Sequence, residues 1–135
     1  MFEKKKRKRE AKESIKRAIN MINVISSSRY KISRKFIKKK AEELMLARGI
    51  SLNNEINVAF IGRIKMKTIV EKYKKETDTL PVLTFKYNEQ QEDKKMLGEI
   101  VICYPYAVLL AAERNKKVDD MILRLIDHGL KNLSN

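Results

Sequence analysis

The chain predicts an α+β domain, a small mixed β-sheet covered by helices. Three observations predict it. Segments with strand-like alternation take turns with segments of helical spacing. The last two strand-like segments stand close enough to pair as neighbours. The 135 residues, 43% of them apolar, suffice for one domain with a real core, while 36% charged residues demand an unusually ionic surface.

The elements follow in order. Residues 1–13 are nearly all charged and read as a mobile arm or the solvated start of a helix. Ile15, Ala18, Ile19 and Ile22 follow helical spacing, yet Met21–Ile25 also reads as a short strand, and the sequence leaves both open. Ser26-Ser27-Ser28 breaks whatever precedes it. Ser33 can cap a helix running to about Arg48, with Gly49 in the terminating position. Its inward stripe is Phe36 or Ile37, then Ala41, Leu44 and Met45, which puts Lys38, Lys39 and Lys40 on the outer and flanking faces. Ile56, Val58 and Phe60 alternate with Asn57, Ala59 and Ile61 in a strand that ends at Gly62. Met66, Ile69, Val70 and Tyr73 line a short helix. Val82–Tyr87 is a second clear strand, Asn88–Lys95 a polar connection, and Gly98 introduces the strand Glu99–Tyr104. Tyr106–Asn115 reads as helix with a basic exit through Lys117. Val118, Met121, Ile122, Leu125 and Gly129 set a last helix against the core.

Charge is unevenly placed. Residues 1–48 carry 17 basic and 5 acidic side chains, out of 31 and 17 in the whole chain. An excess of this kind attracts polyanions by counterion release and makes their binding steeply salt-dependent. Nucleic acid is the favoured partner, against the plainer reading of a solubilising tail. A membrane is disfavoured, because Phe2 is the one large apolar side chain among residues 1–13 and no run of about 18 apolar residues exists. The single cysteine, Cys103, allows no intramolecular disulfide and fits a reducing cytoplasm. With one Cys and one His, a Cys/His structural zinc site is excluded as well.

Little else in the chain carries chemistry. No G-x-S-x-G elbow marks a nucleophile, and glycines at 49, 62, 98 and 129 are too scattered for a phosphate loop. The adjacent acids Glu42-Glu43, Glu92-Asp93 and Asp119-Asp120 read as solvated faces, since neighbours on a helix diverge by roughly a hundred degrees. His128 stands at the edge of an apolar stripe, where a structural role is the commoner one. Asn132, four residues on, shares its face, but a carboxamide oxygen is a poor substitute for imidazole on zinc.

The run Leu97-Gly98-Glu99-Ile100-Val101-Ile102-Cys103, followed by a helix and then His128-Gly129-Leu130, resembles the YbeY family of rRNA maturation factors. That family has Leu-Gly-Asp-Ile-Val-Ile in the strand and His-Gly-x-x-His-x-x-Gly-Tyr-Asp-His in the helix, its three histidines binding one zinc. Tyr73-Lys74-Lys75 takes the place of the family's Tyr-Arg-Gly, and Val82-Leu83-Thr84-Phe85 that of its Val-Leu-Ser-Phe. The resemblance covers about residues 20–132, with 1–19 as a basic extension and 20–135 as the family-like domain without its usual C-terminal end. The departures are as informative. His128 takes the first ligand position, Asn132 the second, and the third falls beyond Asn135. Lys74 stands at the family's basic, substrate-engaging position and lacks the planar fork of arginine.

The resemblance implies a cytoplasmic factor that acts on rRNA or the ribosomal subunit, with ribosomal proteins or assembly factors as further partners. The degenerate motif implies no cofactor, with zinc returning only if donors such as Asp127 or Cys103 complete a site around His128. RNA binding then falls to Lys4, Lys5, Lys6, Arg7, Lys8 and Arg9, to Arg34, Lys35, Lys38, Lys39 and Lys40, and to Lys74 and Lys75, acting on phosphates without reading sequence. Tyr30 and Tyr87 are the aromatic residues best placed to stack on bases. Two alternatives stand beside this reading. One is an active metal-dependent endoribonuclease, the other a protein-binding module docking on an acidic ribosomal surface.

Overall fold

The computed structural model describes residues 22–51, 53–73, 80–91 and 94–134. The basic extension with Lys4–Arg9, the helix-spaced Ile15, Ala18 and Ile19 and the Lys74-Lys75 pair lie outside the described residues.

Four strands form one sheet in the order β1-β2-β4-β3. The strands are β1 (Ile22–Ile25), β2 (Asn54–Ile61), β3 (Val82–Gln91) and β4 (Lys94–Cys103). β1, β2 and β4 run parallel, with Ile22 opposite Ile56 and Val58 opposite Ile100; β3 is the antiparallel edge, with Thr84 opposite Ile100. The helices are α1 (Arg34–Ala47), α2 (Arg63–Tyr73), α3 (Tyr104–Glu113) and α4 (Val118–Ser134). The expected α+β class and the pairing of the last two strands both hold. The undecided stretch at Met21–Ile25 resolves as strand from Ile22, because β2 offers it a parallel ladder.

Alternation along the strands sends two sets of side chains to opposite faces. Ile56, Val58, Phe60, Ile100 and Ile102 face α1 and α4, where they pack with Ile37, Ala41, Met45, Ile122, Ile126 and Leu130. Ile61, Val101, Cys103 and Leu83 face α2, packing with Met66 and Val70. The apolar stripe of α1 is thus Ile37 rather than Phe36, which stays 38% exposed. Tyr73 is 60% exposed and meets the ring of Phe85 edge-on, with centroids 5.4 Å apart.

The end of α1 follows from Gly49. With φ at 76°, it lets the Gly49 N–H donate to the Leu46 carbonyl and the Ile50 N–H reach back to Met45, both at 3.0 Å. This double closure satisfies orphan carbonyls and folds Ile50 into the core. Asn115, at φ 53°, repeats the arrangement after α3, where Lys116 N–H donates to the Ala111 carbonyl at 2.8 Å.

Ser33 sits at the start of α1, but its side chain makes no capping bond there; its carbonyl accepts from the Ile37 N–H at 2.9 Å. The polar connection expected over Asn88–Lys95 is strand at both ends, because hairpin pairing satisfies the backbone whatever the side chains are. Gly98 lies inside β4 rather than before it. α3 starts at Tyr104, directly after β4, with Pro105 in its first turn, where a missing N–H costs nothing. Glu42, read as solvated, is buried at 8% exposure.

Candidate nucleic-acid interface and the residues at the metal position

α4 carries His128 and Asn132 one turn apart, both exposed. The same helix buries Leu125, Gly129 and Leu133 against the sheet. Gly129 is there because α4 comes so close: a Cβ on it would lie 2.8 Å from two side-chain carbons of Ile100. Going down α4, Gly129 meets Ile100 and Leu133 approaches Gly98, so the helix ends toward the amino end of β4.

Neither of the other candidate donors joins His128. Cys103 is fully buried on the α2 face of the sheet, the face opposite to α4. Burial pushes its thiol pKa up, against smaller opposing effects of a backbone bond at Tyr106 and the charge of Arg63. Asp127 follows the other side of α4, where Arg48 Nε donates to its Oδ1 at 2.8 Å. That hydrogen bond first, then the charges of Arg48, His128 and Lys131, hold its carboxyl below the ordinary aspartate range. One step along a helix turns a side chain by about a hundred degrees, which separates Asp127 from the His128 face. Among the described residues no three His, Cys, Asp or Glu side chains come together to hold a metal ion. A catalytic zinc takes three protein ligands, and this donor set does not fit it.

The cations divide by surroundings. On α1, Lys35 and Lys39 are exposed, while Lys38 is half-buried and Lys40 pairs with Glu43 at 3.4 Å. Arg34 is turned to the backbone: Nη1 donates to the Val24 carbonyl at 3.1 Å and Nη2 to the Ser26 carbonyl at 2.6 Å, clamping the exit of β1. The two aromatic candidates also have partners. Tyr87 Oη lies 3.4 Å from Glu99 Oε2, and the Tyr30 ring packs on Tyr104 with centroids 4.7 Å apart.

Sequence reading missed two basic recesses. One, of about 680 Å³, opens between the α1–β2 connection and the β3–β4 hairpin and is lined by Arg48, Lys86, Lys95 and Tyr87. The other, of about 660 Å³, lies at the carboxyl ends of β2 and β4, with Arg29, Arg63 and Lys65 in its wall. Their members come from segments tens of residues apart, so no local run of charge announces them.

The family model described as Endoribonuclease YbeY matches residues 14–133. Endoribonuclease YbeY of Dehalococcoides mccartyi is 27% identical, covering 83% of this chain and 80% of its own. The Aquifex aeolicus protein of the same name is 28% identical over 89% of this chain and 79% of its own. The solution structure of TM1509 from Thermotoga maritima shares the fold, with a TM-score of 0.59 at 24% identity over 85% of this chain and 73% of that one. With a match that runs through every described strand and helix, the chain belongs to the YbeY endoribonuclease family.

Proposed function

We propose that the chain is an rRNA- or ribosome-associated factor that binds RNA through its basic surface and has no intact zinc hydrolase site. One observation carries the reading: Asn132 holds the position next to His128 on the exposed face of α4, and both neighbouring donors are engaged elsewhere, Asp127 by Arg48 and Cys103 in the core of the opposite face. A carboxamide oxygen does not replace a neutral imidazole on zinc. The family supplies the class of partner. The charge supplies the means of binding, with residues 1–48 holding 17 of the 31 cations.

Two measurements test it. Elemental analysis after a zinc soak and desalting should find no retained zinc; about one zinc per chain, lost in His128→Ala, would restore the metal-dependent endoribonuclease. Titration with single-stranded RNA should show salt-dependent binding whose log–log slope falls by about 1.4 in Lys35→Ala/Lys39→Ala, two phosphate contacts at about 0.7 each. An unchanged slope removes α1 from the binding face.

A further inference from the structure

We propose that the cleft at the carboxyl ends of β1, β2 and β4 is a single-stranded RNA site, distinct from the His128 face, in which Arg29, Arg63 and Lys65 hold backbone phosphate and Tyr30 and Ile64 offer the surface for a base. The proposal rests on the RNA-binding reading above and gives it a place.

Three segments surround this end of the sheet. Ser26 to Ala41 contains seven cations and no carboxylate; Gly62 to Val70 contains three and none; Tyr104 to Ala112 is uncharged. The topology alone brings them together, because the parallel strands β1, β2 and β4 all deliver their following segments to one end. In open α/β sheets that end is where ligands bind. The half of α4 that bears His128 and Asn132 descends the other way, with Leu133 at Gly98.

Among the described residues the lining of the cleft is cationic and apolar, with no acidic side chain. Tyr30 lies in it, its ring held against Tyr104, whose hydroxyl donates to the Lys31 carbonyl at 3.4 Å. Gly62 leaves room for it, since a Cβ there would stand 3.0 Å from the Tyr30 hydroxyl. Ile64 on the lip is 86% exposed. Cations beside a fixed aromatic and an exposed apolar side chain form the arrangement that binds a single strand without reading its sequence. A purely acidic protein surface would use the cations and leave Tyr30 and Ile64 without work, and one apolar side chain is too little to enter a membrane.

The test uses the full chain and a fluorescent single-stranded RNA of about twelve nucleotides, with binding read by anisotropy at several salt concentrations. Arg63→Ala/Lys65→Ala removes two exposed charges from the cleft, and Lys117→Ala/Arg124→Ala removes two elsewhere. The cleft pair should lower the salt slope by about 1.4, so that between 50 and 200 mM salt the wild type loses about sevenfold more affinity than the variant. The control pair should keep the wild-type slope. Ile64→Asp, at an exposed position that the fold tolerates, should weaken binding tenfold or more.

Equal behaviour of the cleft and control pairs, with a wild type that binds, overturns the cleft and leaves the RNA-binding reading standing. A wild type that does not bind RNA overturns both. Displacement of the RNA by polyglutamate of equal charge as readily as by unlabelled RNA, with Ile64→Asp unaltered, would make this end a docking surface for acidic protein and overturn the proposal too.

Discussion

Gly129→Ala sets two forces of opposite sign against each other. On a free helix surface, alanine in place of glycine stabilises by about 1 kcal/mol, because glycine loses more backbone freedom on folding. Gly129 faces the sheet, however. A Cβ there would stand 2.8 Å from Cδ1 and Cγ1 of Ile100 and 2.9 Å from Cγ2. Ordinary carbon–carbon contact is about 3.5–4.0 Å. All three clashes fall on one fully buried side chain, enclosed in the core with Val58, Ile102, Ile126 and Leu130. Overpacking of this kind costs about 1–3 kcal/mol, and with no atom of Ile100 free to yield the upper end applies.

The balance is a net loss of about 2 kcal/mol, or roughly 8 °C in melting temperature for a domain of this size. Urea and thermal unfolding followed by circular dichroism would measure it. A second arm isolates the cause. Ile100→Ala alone should cost about 2–5 kcal/mol. Combined with Gly129→Ala it should cost less than the two effects added, by about 1 kcal/mol, since the new methyl group enters the space that Ile100 vacates. A Gly129→Ala protein as stable as the wild type, or an additive double variant, would refute the close approach of α4 to β4.

Gly98→Ala would drive its Cβ into the carbonyl oxygen of Phe85 and to 2.7 Å from Leu133. The backbone cannot yield without opening the β3–β4 ladder, so a loss of about 3 kcal/mol or more is expected, and a variant melting within a few degrees of wild type would count against it. The Arg48–Asp127 pair joins the end of α1 to α4. Because the folded state holds the Asp127 pKa below its unfolded value of about 3.9, its contribution is present above that value and is lost as pH falls through the folded one. Asp127→Asn should therefore melt slightly below the wild type at pH 7, and the gap should narrow as the pH falls below the unfolded value; an equal gap at pH 7 and pH 3 would refute the pair. Asn132→His would place two imidazoles four residues apart on the exposed face of α4. Zinc should then raise the melting temperature of the variant and not of the wild type, by mass action on the folded state; stabilisation of both would speak for hidden ligands.

How far the sequence reveals this fold depends on how local each cause is. The end of α1 was legible at Gly49, because a left-handed residue closes a helix whatever surrounds it, whereas the helix expected through Asn115 stops at Glu113 and Asn115 is itself the left-handed residue. The alternation at Ile56, Val58 and Phe60 was legible for the same reason. The pairing of the last two strands was legible too, but not its reach: the β3–β4 ladder extends to Gln91 and Lys94, and side-chain polarity says nothing of that. Tertiary placement decides the rest. Arg34 looked like one more cation of α1, and only the return of the chain past Val24 and Ser26 makes it a backbone clamp. The wall formed by Arg29, Arg63 and Lys65 is built by the parallel order of β1, β2 and β4 and has no counterpart in linear spacing.

The positions around the His-Gly pair in α4 answer to two different kinds of physics. Gly129, Leu125, Leu130 and Leu133 are held by contact with the sheet, where any enlargement meets Ile100 or the core. His128 and Asn132 lie outside that contact, exposed to solvent. Exposed helix positions with good partners in water change stability little, commonly within about 0.5 kcal/mol. The packed positions are therefore fixed by folding alone, whereas folding places little demand on the exposed pair. Histidine and asparagine at residue 132 are close to equivalent for the fold. It follows that Asn132→His should leave the stability of the metal-free protein essentially as it is, which separates the fold of α4 from its chemistry in a single variant.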